Sequence, residues 1–101
     1  MKYVRKITPV SSADGEGLES WLEDMALQGL YLKKFRPLFC TFTPGPAKKT
    51  RYRLEPFRLR LDDDLPRSML ELYRDFGWDY IDTVANSMLI FSTQDLDAPA
   101  L

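Results

Sequence analysis

Apolar residues fall at Leu18, Trp21, Leu22, Met25 and Ala26, and again at Gly29 and Leu30. That spacing gathers them on a single helical face. Glu19, Glu23, Asp24 and Gln28 take the opposite face, so the pattern predicts a helix lying against something apolar. Glu16, Glu19 and Glu23 sit where the positive end of the helix dipole favours them. Gly29 supplies a left-handed stop. Ser11, Ser12 and Asp14 are candidate caps, and Gly15 and Gly17 delay the start because each disfavours a helix interior by about 1 kcal/mol.

Around this helix the chain reads mostly as strand. Residues 2–8 carry Tyr3, Val4 and Ile7 among Arg5 and Lys6, and Pro9 ends them. The run 30–35 leads into 38–43, where Leu38, Cys40 and Phe42 share a face, with a break at Arg36-Pro37. Pro44-Gly45-Pro46-Ala47-Lys48-Lys49 is a turn by composition. In 50–55, Tyr52 and Leu54 alternate with Arg51, Arg53 and Glu55, which predicts an antiparallel hairpin with 38–43. Phe57, Leu59 and Leu61 continue the alternation past Pro56.

Asp62-Asp63-Asp64 and Pro66 cap a second helix presenting Leu65, Met69, Leu72, Tyr73 and Phe76. Gly77 ends it. Residues 78–84 lead through a turn at Asn86 to a final strand over 87–92. Strand, helix, glycine and strand thus occur twice, in 2–43 and in 50–92. Two such halves predict an α+β, ferredoxin-like βαββαβ domain over residues 1–93. Its four-stranded antiparallel sheet would carry both helices on one face and leave the other open. Residues 94–101 read as a flexible C-terminal tail.

Composition narrows the function classes. The formal charge of -1 over 101 residues provides no global field for nucleic acid or an anionic surface. No apolar run approaches the roughly 18 residues of a membrane span, and Lys2 to Lys6 do not resemble a signal peptide, so the chain reads as cytoplasmic. Histidine is absent, which removes the usual general base and the commonest metal ligand. Cys40 is the single cysteine and lies on an apolar strand face, as a core thiol does. Consecutive carboxylates at Asp62, Asp63 and Asp64 diverge and suit a helix cap better than a cation site. Trp21 and Trp78 read as core, and no cofactor is implied.

One local feature stands out. Lys48, Lys49, Arg51, Arg53, Arg58 and Arg60 crowd together in a chain that is otherwise acidic. On an open sheet face they would form a stripe for phosphate, a carboxylate ligand, anionic lipid or RNA backbone; on a solvated strand face they would pair with Glu55 or acidic helix residues, or protect an edge by charge. Nucleic acid is disfavoured, because the glycine-aromatic strand motif of RNA-binding sheets is missing. Tyr31, Phe39 and Leu27 are apolar residues that a helix-covered core leaves over, which points to a protein partner or a second copy.

The residues Trp21-Leu22, Met25-Ala26, Gly29 and Leu32, then Tyr52-Arg53-Leu54, then Gly77-Trp78-Asp79-Tyr80-Ile81 resemble the bacterial domain-of-unknown-function family 2812. The likeness spans residues 2–92 and departs at Leu30, where the family usually has an aromatic. Many relatives continue into hydrophobic segments that this chain lacks. The resemblance implies a small accessory domain, often encoded near transcriptional regulators, and transfers no catalytic residue. The expectation is therefore a non-catalytic interaction or regulatory module working through an open sheet face and the 48–60 segment. The alternative is a dimeric small-molecule-binding domain or cofactor-free enzyme with a cavity between helices and sheet, holding Tyr52, Arg53 or Tyr73.

Overall fold

The computed structural model describes residues 2–9, 15–57, 66–84 and 88–100. The elements run β1 (Val4–Ile7), α1 (Gly15–Leu27), β2 (Leu30–Lys34), β3 (Phe39–Pro44), β4 (Arg51–Pro56), α2 (Arg67–Asp75), β5 (Asp79–Val84) and β6 (Met88–Thr93). Strand propensity and helical spacing placed most of them, and their pairing is where the expected architecture fails. The strands form two separate three-stranded antiparallel sheets, ordered β1-β3-β2 and β4-β6-β5. A single four-stranded ferredoxin-like sheet is therefore ruled out.

The reason lies in the run 30–35. It is a strand in its own right, pairing Leu32 with Phe42. On its other side β3 pairs with β1, Val4 opposite Phe42. Both edges of β3 are thus occupied, and the expected hairpin between β3 and β4 cannot form. The proline-rich connection after β3 instead carries the chain into the second sheet, where β6 is flanked in the same way by β4 and β5. The repeat read in the sequence is real as topology: each half is strand-helix-strand-strand, its third strand lying between the other two.

Both helices end on a left-handed glycine, Gly29 at φ 81° and Gly77 at φ 94°. After α2 the Gly77 N–H donates to the Arg74 carbonyl (3.0 Å) and the Trp78 N–H to that of Tyr73 (2.9 Å). This paired arrangement satisfies carbonyls that a helix end would otherwise leave bare. Beyond α1 the chain returns against the helix end, where the Gly45 N–H donates to the Gly29 carbonyl at 2.8 Å.

One core gathers Leu18, Leu22 and Ala26 of α1 with Leu32, Phe35, Cys40 and Phe42 of the first sheet and Tyr52, Leu54 and Ile90 of the second. Trp21 meets Phe42 edge-on at 5.6 Å between ring centres, a favoured aromatic geometry. On the other face of the second sheet a smaller core holds Tyr73, Trp78, Leu89, Phe91 and Ala98. There α2 uses a narrower stripe than its spacing predicts. Tyr73 is buried and Met69 and Leu70 half-buried, whereas Leu72 and Phe76 stand exposed. Leu65, the acidic triplet 62–64, Asn86 and the caps at 11–14 lie outside the described residues.

Residues 94–100, expected to trail away, pack back onto the second sheet. Ala98 is buried, the Trp78 indole N–H donates to the Pro99 carbonyl at 2.9 Å, and Arg51 donates to the Ala98 carbonyl at 2.7 Å. Among the described residues no helix is long and apolar enough to cross a membrane.

Candidate functional site

Of the six cations picked out in the sequence, Lys48, Lys49, Arg51 and Arg53 are described, and the two arginines are engaged within the fold. Arg51 and Arg53 do share a face of β4, as the alternation predicts, but that face carries the second core and the C-terminal segment. The Arg51 guanidinium lies 4.9 Å from the Trp78 ring centre while it holds the Ala98 carbonyl. Arg53 donates through Nε and Nη2 to one Glu55 oxygen, at 3.0 and 2.9 Å, and the Tyr73 hydroxyl donates to the same oxygen at 2.9 Å. Lys48 and Lys49 are exposed in the connection before β4. Arg58 and Arg60 lie outside the described residues.

The sheet edges explain where polar groups have gone. Strand β4 is an edge, and its outward N–H groups at Tyr52 and Leu54 donate to Glu23 (3.0 Å) and Glu19 (2.7 Å) of α1. These two glutamates, expected on the solvent side of the helix, instead shield a ladder that has no further strand. Strand β2 is also an edge. Its Leu32 N–H donates to the Tyr52 hydroxyl at 3.3 Å. Just beyond it, the Phe35 N–H donates to Asp82 of β5 at 2.8 Å, and Arg36 pairs with the same carboxylate at 3.1 Å. The edges β2, β4 and β5 are thus engaged with one another or with α1.

What the described residues leave open is the first sheet's face away from the core, together with its β1 edge. Ile7 and Phe39 are directly opposed across β1 and β3, so their side chains share a face. They are 74% and 45% exposed, and neighbouring Leu38 is 75% exposed. Arg5 stands 5.5 Å from the Phe39 ring centre. Together Arg5, Arg36, Pro37, Leu38, Phe39 and Thr41 line a hollow of about 390 Å³. Nearby, Lys33 donates to the Tyr3 hydroxyl at 2.7 Å and lies over its ring; this cation holds the Tyr3 phenol below its usual pKa. Residues 2–9 and 25–54 contain no aspartate or glutamate. The sequence signal for this face is thus an acid-free stretch punctuated by Ile7, Leu38 and Phe39.

A second hollow of about 270 Å³ lies between α2 and β5, lined by Leu70, Glu71, Arg74, Asp79 and Tyr80. Neither hollow includes Tyr52, Arg53 or Tyr73. The hydroxyl groups of both tyrosines are already engaged inside the fold. Among the described residues no group of His, Cys, Asp or Glu side chains is arranged to hold a metal ion.

Cys40 is fully buried with its sulfur 3.2 Å from the Thr8 hydroxyl, and burial pushes its thiol pKa up. Burial does the same to the phenols of Tyr52 and Tyr73, the latter with Glu55 adding to the effect. These shifts share a sign. An unfolded chain releases protons from such groups at about pH 8.5 for cysteine and about 10 for tyrosine, before the folded chain does. Stability is therefore whole below that range and falls as pH climbs through it. Denaturant midpoints are expected to hold from about pH 7 to 8 and decline steadily by about pH 10. A thiol reagent at neutral pH is expected to label Cys40 only on unfolding. Rapid stoichiometric labelling of the folded protein, or a flat alkaline limb, would contradict this account.

Comparison with curated proteins and with solved structures gave no match. A family pattern does match, over residues 14–100, from the approach to α1 through the docked C-terminal segment. The likeness carried by Trp21, Gly29 and the Gly77-Trp78 pair thus extends over most of the chain, which belongs to the family described as Protein of unknown function (DUF2812).

Proposed function

We propose that this chain is a non-catalytic binding module that holds a protein partner on the uncovered face of its first sheet. The observation that carries the reading is the cluster of Ile7, Leu38 and Phe39 in solvent beside Arg5 and Arg36. Scattered exposed apolar residues are ordinary, whereas a contiguous group rimmed by charge marks recognition surfaces. The counterpart of this face on the second sheet, the one bearing Leu54 and Ile90, is buried in the shared core, so the two repeats differ at this very place. Support for binding without bond chemistry comes from a histidine-free sequence and an inaccessible thiol.

The test is a Leu38→Glu variant. Leu38 contributes little to either core, so its replacement is expected to change stability by about 0.5 kcal/mol or less. Affinity capture from the producing cells, compared by mass spectrometry, is expected to lose proteins that the unaltered chain retains. Identical captured sets from both chains, at equal thermal stability, would sink the reading.

A further inference from the structure

The first sheet has one edge that the described residues leave bare. β2, β4 and β5 meet side-chain carboxylates, a phenol or one another, whereas β1 pairs only with β3. The Thr8 N–H donates to the Leu38 carbonyl at 3.0 Å. Register then places Lys6 and Val4 on the same inward-bonding set, opposite Cys40 and Phe42. By the alternation of an antiparallel ladder, Arg5 and Ile7 point their N–H and C=O groups away from β3. These are the same two residues whose side chains stand on the apolar face. An incoming strand would thus find main-chain partners and a side-chain seat at once.

Charge selects the occupant. Arg5, Lys6, Lys33, Lys34 and Arg36 are all exposed on this sheet or at its end, and Arg36–Asp82 is their single acidic pairing among the described residues. A second copy adding its own β1 would set Arg5 and Lys6 against Arg5 and Lys6, and like charges directly opposite are destabilising. An acidic strand meets the opposite condition. Resting on the reading of this face as the working surface, we propose that the β1 edge takes an extended acidic segment of a partner protein as a fourth strand, with an apolar side chain of that segment in the hollow beside Phe39. Main-chain bonds to Arg5 and Ile7 supply affinity and the hollow supplies selectivity, as in other strand-addition complexes. Arg5 and Arg36 hold the flanking carboxylates.

The experiment titrates the full chain with a synthetic glutamate–valine peptide of repeating Glu-Thr-Val-Thr, which sets glutamate and valine by turns on one strand face, following amide hydrogen exchange residue by residue. Slowing of the Arg5 and Ile7 amides by about tenfold or more at saturation is expected. The lysine–valine peptide, an N-methylated glutamate–valine peptide, and vesicles of phosphatidylglycerol with phosphatidylcholine are expected to leave those amides unchanged. Ile7→Pro deletes an N–H outside the β3 ladder and is expected to weaken binding about tenfold more than Ile7→Ala, which keeps it. The thermal midpoint of each variant confirms folding, and the N-methylated peptide tests the same bond without altering the protein.

Equal binding of the lysine peptide or of the N-methylated peptide overturns the proposal, as does binding of vesicles alone. Absence of saturable binding by the glutamate peptide overturns it too. If that peptide perturbs Leu38 and Phe39 while Arg5 and Ile7 exchange as before, strand addition fails and the face remains the working surface. If Leu38→Glu also captures every protein that the unaltered chain does, the face itself is refuted.

Discussion

Gly29→Ala is expected to destabilise the fold by about 2–4 kcal/mol, against about 1 kcal/mol for Gly77→Ala. Both glycines end a helix with positive φ, at 81° and 94°, and both lose the freedom that lets glycine sit there. They differ in their surroundings. A methyl group on Gly29 would come within 2.5 Å of the Gly45 carbonyl oxygen, a backbone atom of a residue whose N–H is held by the Gly29 carbonyl. On Gly77 its nearest neighbour would be the Ala98 methyl group at 3.8 Å, an ordinary contact. Alanine at 29 must therefore displace the connection between the two sheets as well as strain a torsion. Denaturant unfolding of the two variants side by side is the measurement. Equal losses would mean that Gly45 yields freely and that the return of the chain to the end of α1 contributes nothing.

Removing both carboxylates that shield β4 is the second large perturbation. A hydrogen bond to a charged group contributes about 1.5–3 kcal/mol, so Glu19→Ala with Glu23→Ala is expected to remove about 3–6 kcal/mol. The losses should arise at the Leu54 and Tyr52 amides, which donate to Glu19 and Glu23 at 2.7 and 3.0 Å. Amide exchange at those two positions is expected to accelerate ahead of the rest of β4. The double Glu→Gln variant keeps an acceptor oxygen and is expected to recover part of the stability. The freed edge should also promote self-association, since an unshielded strand is a template for another. Unchanged exchange at Tyr52 and Leu54 together with unchanged stability would show that the carboxylates are ornaments of the helix surface.

Much of the architecture was legible along the chain. Leu18, Leu22 and Ala26 are buried as their spacing demands, and both glycines stop their helices. Trp78 and Cys40 are core. The sheet topology was not legible, because the decision between β3–β4 and β2–β3 hairpins depends on a run, 30–35, whose strand character is hidden by the break at Arg36-Pro37. Alternation placed Arg51 and Arg53 correctly on one side of β4, but period two cannot say which side of a sheet another element will cover. Here it is covered by α2 and the segment ending at Pro99. The same ignorance concealed the candidate site. Ile7, Phe39 and Leu38 are far apart in sequence or break the alternation, and only the pairing of β1 with β3 brings them side by side.

Every ladder closes within its own half of the chain: β1 and β2 with β3, β4 and β5 with β6. Among the described residues no strand pairing crosses the proline-rich midpoint. What joins the halves is apolar packing and a few side-chain clasps from Glu19, Glu23, Tyr52 and Asp82. Loop-closure entropy therefore limits each pairing separately, and the halves mate as two already woven fabrics mate at a row of buttons. Loosening a button should speed their parting while leaving the rate of weaving nearly unchanged.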